Sequence, residues 1–233
     1  MTSAPDNETA AAPVVALPAP VARSSVATDV ALISTFAAFI AVCAILPGIP
    51  TPSGVPITLQ TFAVILAGLV LGWRRGGLAA LLYVVLGLAG LPIFSGGVGG
   101  VAVLAGPSVG YLLAFPFAAA LAGVLAGWAL RAAERLRSSS LADRLAARFG
   151  DGVGRAPSAW RYPLLVVAGL GASFLTIHPA GIVGLMVRLG ITLPEAFAID
   201  VVYWTGDVLK NLAAAAVAVA IFKAFPDMLR SRR

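Results

Sequence analysis

Six apolar stretches, with arginine concentrated in alternate gaps between them, constrain this chain more than any other feature. They cover residues 30–46, 57–73, 77–91, 109–133, 162–186 and 196–222. Each approaches or exceeds the length of about 20 residues that a helix needs to cross hydrocarbon. In lipid every backbone N–H and C=O must be satisfied within its own segment, so such spans are helices. The pattern predicts an all-α integral membrane protein with six transmembrane helices. Arg74 and Arg75 lie between the second and third stretches. Arg131, Arg135, Arg137, Arg144, Arg148, Arg155 and Arg161 surround the gap between the fourth and fifth, and Lys223, Arg230, Arg232 and Arg233 follow the sixth. The gaps after the first and third stretches carry no charge, and the gap after the fifth has only Arg188 and Glu195. Lys and Arg accumulate in cytoplasmic loops. Both termini are therefore expected in the cytoplasm, and the odd-numbered loops, through which an external ligand would enter, outside.

Of 233 residues, 60% are apolar, more than a soluble domain of this length could hide, so the lipid bilayer must cover them. The formal charge of +6 does not point to nucleic acid. The basic residues sit at span boundaries without interleaved aromatics, and anionic lipid headgroups are their expected partners. Cys43 is the single cysteine, which excludes a disulfide within the chain and a cysteine metal cluster. Residues 1–27 are rich in Ala, Pro and Thr, without a basic start or an apolar run. They read as a disordered cytoplasmic N-terminal tail rather than a cleavable signal peptide. The membrane domain then runs over 28–225, with a cytoplasmic loop at 134–160 and a basic cytoplasmic tail at 226–233.

Within the 134–160 loop, Ser140 and Asp143 suit a capping box, and Leu141, Leu145 and Phe149 recur every fourth residue with Arg144 and Arg148 off that stripe. A short amphipathic helix on the inner leaflet fits this pattern; a docking surface for a cytoplasmic partner fits it too. The outer loop at 92–108, between the third and fourth spans, is uncharged and dense in glycine. Such a loop can fold back toward the membrane and offer backbone groups to a ligand. In the first span Ser34 and Ala38, and Ala37 and Ala41, form small-residue pairs at four-residue spacing, which let helices approach closely in lipid. The neighbour so contacted lies either in this chain or in another protein.

The chemistry concentrates in the sixth span. Asp200, Tyr203, Trp204, Asp207, Lys210 and Asn211 step by three or four and so share one helix face. Ionisable groups inside a membrane helix are costly and mark functional sites facing the bundle interior. Counting about 20 residues outward from Phe222 puts the outer boundary near Tyr203. Asp207 and Lys210 then lie within the outer half, and Asp200 is expected at the headgroup level, solvated. Lys210 suits a ligand carboxylate and Asp207 suits ligand N–H groups. Trp204, Tyr203, Tyr83, Phe94 and Tyr111 could wall an apolar part of the ligand. The inventory fits an amphipathic small molecule with one acid end and one N–H-bearing end. His178, the only histidine, is expected as a packed or interfacial residue rather than a metal ligand or proton relay, and no cofactor or metal is implied.

Several runs together resemble the BioY family. They are Val55, Pro56, Ile57, Thr58, Leu59, Gln60 and Thr61; Gly68 to Gly72; Arg75 with Gly76; Tyr83 with Leu86 and Gly87; and Gly90, Leu91 and Pro92 with Phe94. The run from Gly99 to Gly110 ending at Tyr111, and Gly206, Asp207, Val208, Leu209 and Lys210, complete the resemblance, which covers roughly residues 30–225. Before Gly206, Tyr203, Trp204 and Thr205 stand where a Pro-Phe-x-Pro type of segment is usual. BioY proteins are biotin-binding substrate-capture (S) components of energy-coupling-factor transporters. The resemblance implies a six-helix fold with one biotin site near the outer face and no enzymatic activity. It implies a site containing Asp207 and Lys210, with Tyr83 and the glycine-rich loop (Gly97, Gly99 and Gly100) contributing; Gln60 and Asn211 are further candidates. The ureido ring is assigned to Asp207 and the carboxylate to Lys210, or the reverse.

Lys210 and Lys223 are the only lysines and neither ends a P-loop, so this chain cannot hydrolyse ATP through one. The family implies a transmembrane coupling subunit and ATPase subunits as partners, with the small residues of the first span a plausible contact. Two other functions stay open on sequence alone: an S component for a different small amphipathic vitamin, and an intramembrane enzyme using Asp207 as acid or base.

Overall fold

A computed structural model of the protein describes residues 25–137 and 157–230. The tail at 1–24, most of the loop expected to hold an amphipathic helix (138–156) and residues 231–233 lie outside the described residues. The elements are α1 (Val26–Ile45), α2 (Gln60–Leu71), α3 (Trp73–Leu88), a 3-10 turn (Val101–Ala105), α4 (Val109–Arg137), α5 (Pro157–Ala172), α6 (His178–Leu189), α7 (Leu193–Ala224) and α8 (Pro226–Arg230). A π turn, Ser173–Ile177, joins α5 to α6. Among the described residues there is no strand, only isolated bridges between Ile49 and Ile57 and between Phe94 and Val98.

Every apolar stretch becomes a helix, but not every helix is a membrane span. Four are long and apolar enough to cross: Val26–Ile45, Val109–Arg135, Trp160–Leu189 and Leu193–Ala224. The second stretch, expected as a span over 57–73, is helical for only 12 residues. That is about 18 Å of rise against a hydrocarbon core of ~30 Å. Residues 47–59 ahead of it are largely non-helical. The reason is position. Gln60 and every residue from Ala63 to Leu71 are buried, and α2 packs against α1, α3, α4, α5 and α7. A helix apolar on all sides belongs in an interior. Protein surrounds α2, so its length need not match the bilayer, and the irregular backbone preceding it is tolerated.

Small residues make that central packing feasible. Gly72 turns α2 into α3 in a single residue at φ +85°, a conformation side chains resist. Beyond the turn, a Cβ on Gly68 would lie 2.1 Å from the Ala119 carbonyl oxygen, and one on Gly123 would lie 2.3 Å from the Trp73 amide nitrogen. Close backbone approach of this kind is how helices pack where lipid offers no hydrophobic drive. In α1, Ala37 is buried and Ala41 half-buried, whereas Ser34 and Ala38 are exposed; the inner pair packs within this chain and the outer pair faces away from it. Asp29 of α1 forms an ion pair with the buried Arg75 of α3, tying the two helices together at the arginine-rich end. The expected basic tail at 226–233 opens with a helix, α8, whose Met228 is buried.

Replacing Gly68 by alanine is expected to lower stability by about 1–3 kcal/mol through overpacking against α4. Gly127→Ala, which meets only the Arg131 side chain at 3.3 Å, should be neutral or slightly stabilising. Thermal unfolding of the two variants in detergent, followed by intrinsic fluorescence, measures the difference.

Candidate functional site

The site forms at the end of the bundle away from Arg74, Arg75, Arg131 and Lys223. There the α2 N-terminus, the loops at 54–58 and 94–108, the start of α4 and the first half of α7 converge on a cavity of about 310 Å³. Of the residues predicted to bind ligand, Asp207, Lys210, Gln60, Phe94 and Tyr111 line it. Thr58, Thr61, Ser95, Ser108 and Tyr203 add polar groups, and Ile57, Val98, Val103, Leu112 and Phe115 add apolar ones. The remaining predicted residues stand behind the wall. Tyr83 is fully buried, accepts a hydrogen bond at its hydroxyl from Gln60 Nε2 at 2.7 Å, and meets Phe94 edge-on at 5.4 Å. Trp204 packs among Phe174, His178 and Phe197. Asn211 donates to the Asp207 backbone carbonyl at 2.8 Å and lies against Gly169 of α5. Gly97, Gly99 and Gly100 shape the loop between α3 and α4 rather than line the cavity.

The loop geometry explains those glycines. A reversal from Phe94 to Val98 is closed by the Phe94 amide donating to the Val98 carbonyl at 2.9 Å, with Gly97 at φ +71°. The Gly100 amide donates to the Gly87 carbonyl at 2.7 Å. A Cβ on Gly87 would lie 2.2 Å from the Phe94 ring, so the absent side chain of Gly87 is the seat of Phe94. The loop is thereby fastened to α3 while Phe94 and Val98 face the cavity. On the opposite wall Tyr203 bonds to Ser53 Oγ at 2.7 Å and donates to the Val55 carbonyl at 3.0 Å, tying the loop before α2 to α7.

Asp207 is the polar centre. Its Oδ1 accepts from Lys210 Nζ at 2.8 Å and from Thr61 Oγ1 at 2.9 Å. Both donors line the cavity, so ligand groups can compete for either. Its Oδ2 faces His178 Nε2 at 3.5 Å. Asp200, expected at the headgroup level and solvated, is instead 0% exposed. Its carboxylate accepts from the Tyr111 hydroxyl at 2.7 Å and from Trp204 Nε1 at 2.8 Å, and meets His178 Nδ1 at 3.0 Å. The depth estimate failed because Asp200 lies on the one face of α7, with Ala196 and Tyr203, that is buried, while Leu193, Phe197 and Val202 on its other faces are exposed, so distance along the helix did not measure exposure. Sequence reading also missed Thr61 and the bridging place of His178. Asp200 and Asp207 sit seven residues apart on one face, which is a legible sign of a shared environment. His178 lies on another helix, and nothing in sequence spacing pairs it with them.

A family model described as the BioY family matches residues 13–227 of this chain. The chain belongs to the BioY family. The biotin transporter BioY of Rhodobacter capsulatus is 34% identical over 216 residues, covering 88% of this chain and 98% of that protein. The biotin transporter BioY of Rhizobium etli is 31% identical over 201 residues, covering 85% and 95%. Among solved structures, the S-component for biotin from an ECF-type ABC transporter shares the fold at a TM-score of 0.67 with 24% identity, covering 84% of this chain and 92% of that one.

Tyr203→Phe removes the hydroxyl that anchors the loop before α2. Amide hydrogen exchange over 51–58 is expected to accelerate roughly two- to tenfold, the effect of losing about 0.5–1.5 kcal/mol of hydrogen bonding; unchanged exchange there would show the anchor to be dispensable.

Proposed function

We propose that this BioY-family chain is a biotin-binding S component, a multi-pass protein of the cell membrane that captures the vitamin at the outer face for uptake. The observation that carries the reading is the Lys210–Asp207 pair, placed on the wall of a cavity that is otherwise mostly apolar. The cavity's volume suits a small molecule. Biotin offers a carboxylate, N–H donors on a ureido ring and an apolar thioether ring. The carboxylate goes to Lys210 and the ureido N–H groups to Asp207, with Gln60, Thr58 and Thr61 within the same wall. The site presents an acid and an amine for recognition.

All six apolar helices belong to the membrane domain, with α2 held in its interior, both termini in the cytoplasm and the glycine-rich loop over the outer mouth of the cavity. Arginines gathered at the opposite end support this orientation. Energy for release inward comes from partners, a transmembrane coupling subunit and ATPase subunits, and the outward-facing Ser34 and Ala38 of α1 are the proposed contact.

Labelled biotin should bind the purified protein with nanomolar affinity. Asp207→Asn and Lys210→Ala should each cost about 2–5 kcal/mol, the penalty of leaving a buried charge unpaired. Unchanged binding in both variants would remove the site; failure of biotin to compete with another bound vitamin would move the chain to a different substrate. Orientation is tested separately with impermeant maleimide on intact cells, given that Cys43 is buried. Val101→Cys should label from outside, and Arg131→Cys only after permeabilisation.

A further inference from the structure

Tyr111 and Tyr203 both line the cavity, and the hydroxyl of each is already engaged by the protein. Tyr111 donates to Asp200 Oδ1 at 2.7 Å. Tyr203 bonds to Ser53 Oγ and to the Val55 carbonyl. The two rings meet edge-on, with 5.8 Å between centroids and 70° between planes, an arrangement aromatic pairs favour. With their hydroxyls committed, the two tyrosines give the cavity an apolar aromatic corner.

Asp200 stands behind that corner. It is 0% exposed and is not among the residues that line the cavity. A buried carboxyl group is costly unless hydrogen-bond partners surround it, and one out of reach of a ligand must find them within the protein. Asp200 meets the Tyr111 hydroxyl from α4, Trp204 Nε1 one turn along α7 at 2.8 Å, and His178 Nδ1 from α6 at 3.0 Å. Of these three partners only Tyr111 also reaches the cavity.

The ring of Tyr111 has a seat made for it. A Cβ on Gly181 would lie 2.1 Å from Tyr111 Cε1, so the ring rests on bare backbone of α6. Gly181 thus sets how far the ring withdraws from the cavity, and Asp200 sets its direction. Phenylalanine would supply the same ring, so the hydroxyl matters here through its bond to Asp200. We infer that Asp200 is a positioning residue of the cavity: it holds the Tyr111 ring down on Gly181, and the corner that Tyr111 forms with Tyr203 selects a ligand with a compact apolar ring. The identity of that ring as the thioether ring of biotin rests on the biotin reading; the positioning does not.

Desthiobiotin keeps the ureido ring and the carboxylate of biotin but lacks the sulfur that closes the second ring, so the ratio of the two affinities reads the corner. The preference for biotin is expected to fall at least about threefold, the scale of one aromatic contact, in Tyr111→Phe and in Asp200→Leu. The double variant should lose no more than either single one, because the two residues act as a unit. A bond that only held helices together would weaken both ligands alike; an unchanged preference in folded Tyr111→Phe therefore overturns the selecting role, whether or not Asp200→Leu folds. Positioning is read without ligand by 19F NMR of protein labelled with 3-fluorotyrosine. Of four tyrosines in the chain, Tyr111 is the resonance lost in Tyr111→Phe, and its line should broaden or split in Asp200→Leu. An unchanged line shape there overturns the positioning. A changed line in a protein that binds neither probe supports the positioning and sinks the biotin reading instead.

Discussion

A carboxylate inside a membrane protein must be surrounded by donors, and Asp207 organises this structure through that requirement. Lys210 and Thr61 supply donors to one oxygen, the second faces His178, and Asn211 bonds to the backbone carbonyl of the same residue. These partners come from α2, α6 and α7. An acid that needs partners on three helices holds those helices in one register, and the need is severe because a buried unpaired charge is far costlier than a missing apolar contact. Asp200 repeats the arrangement two turns away and recruits Tyr111 from α4. Recognition and architecture thus draw on the same groups: the residues that position the helices are also those a ligand would meet.

Glycine and alanine supply the complementary constraint. Gly110 and Gly181 let α4 and α6 approach until the Tyr111 ring covers Gly181, which aims the Tyr111 hydroxyl at Asp200. Gly87 does the same for Phe94 on α3. In each case a missing side chain sets the position of an aromatic one, and the aromatic one either faces the cavity or orients an acid beside it. Packing by small residues accounts for how a bundle with little hydrophobic drive between its helices holds a shaped void near one end.

Much of this was legible in the sequence. The apolar runs located α1 to α7 but not α8, and the polar stripe from Asp200 to Asn211 marked the helix that brings Tyr203, Asp207 and Lys210 to the cavity. Asp207, Lys210, Gln60, Phe94 and Tyr111, all named from motif or face, line the cavity. Local patterns failed where the answer depends on neighbours. The 57–73 stretch reads as a span because apolarity does not distinguish lipid from protein as the covering medium. Asp200 reads as solvated because depth along a helix says nothing of the walls around it. The hydroxyls of Ser53 and Thr61 carry no local signal of their roles, since their partners are about 150 positions away in the chain (Ser53 with Tyr203, Thr61 with Asp207).

The enclosure of α2 bears on how the protein is made. Its covering helices include α4 and α7, and α7 is synthesised well after α2. Until α7 emerges, α2 has an uncovered flank and too few residues to sit across a bilayer alone, so it must enter joined to α3 as a hairpin. The chain therefore closes the cavity and covers α2 in one event, the docking of α7, and a chain that stops before α7 would leave one flank of α2 uncovered.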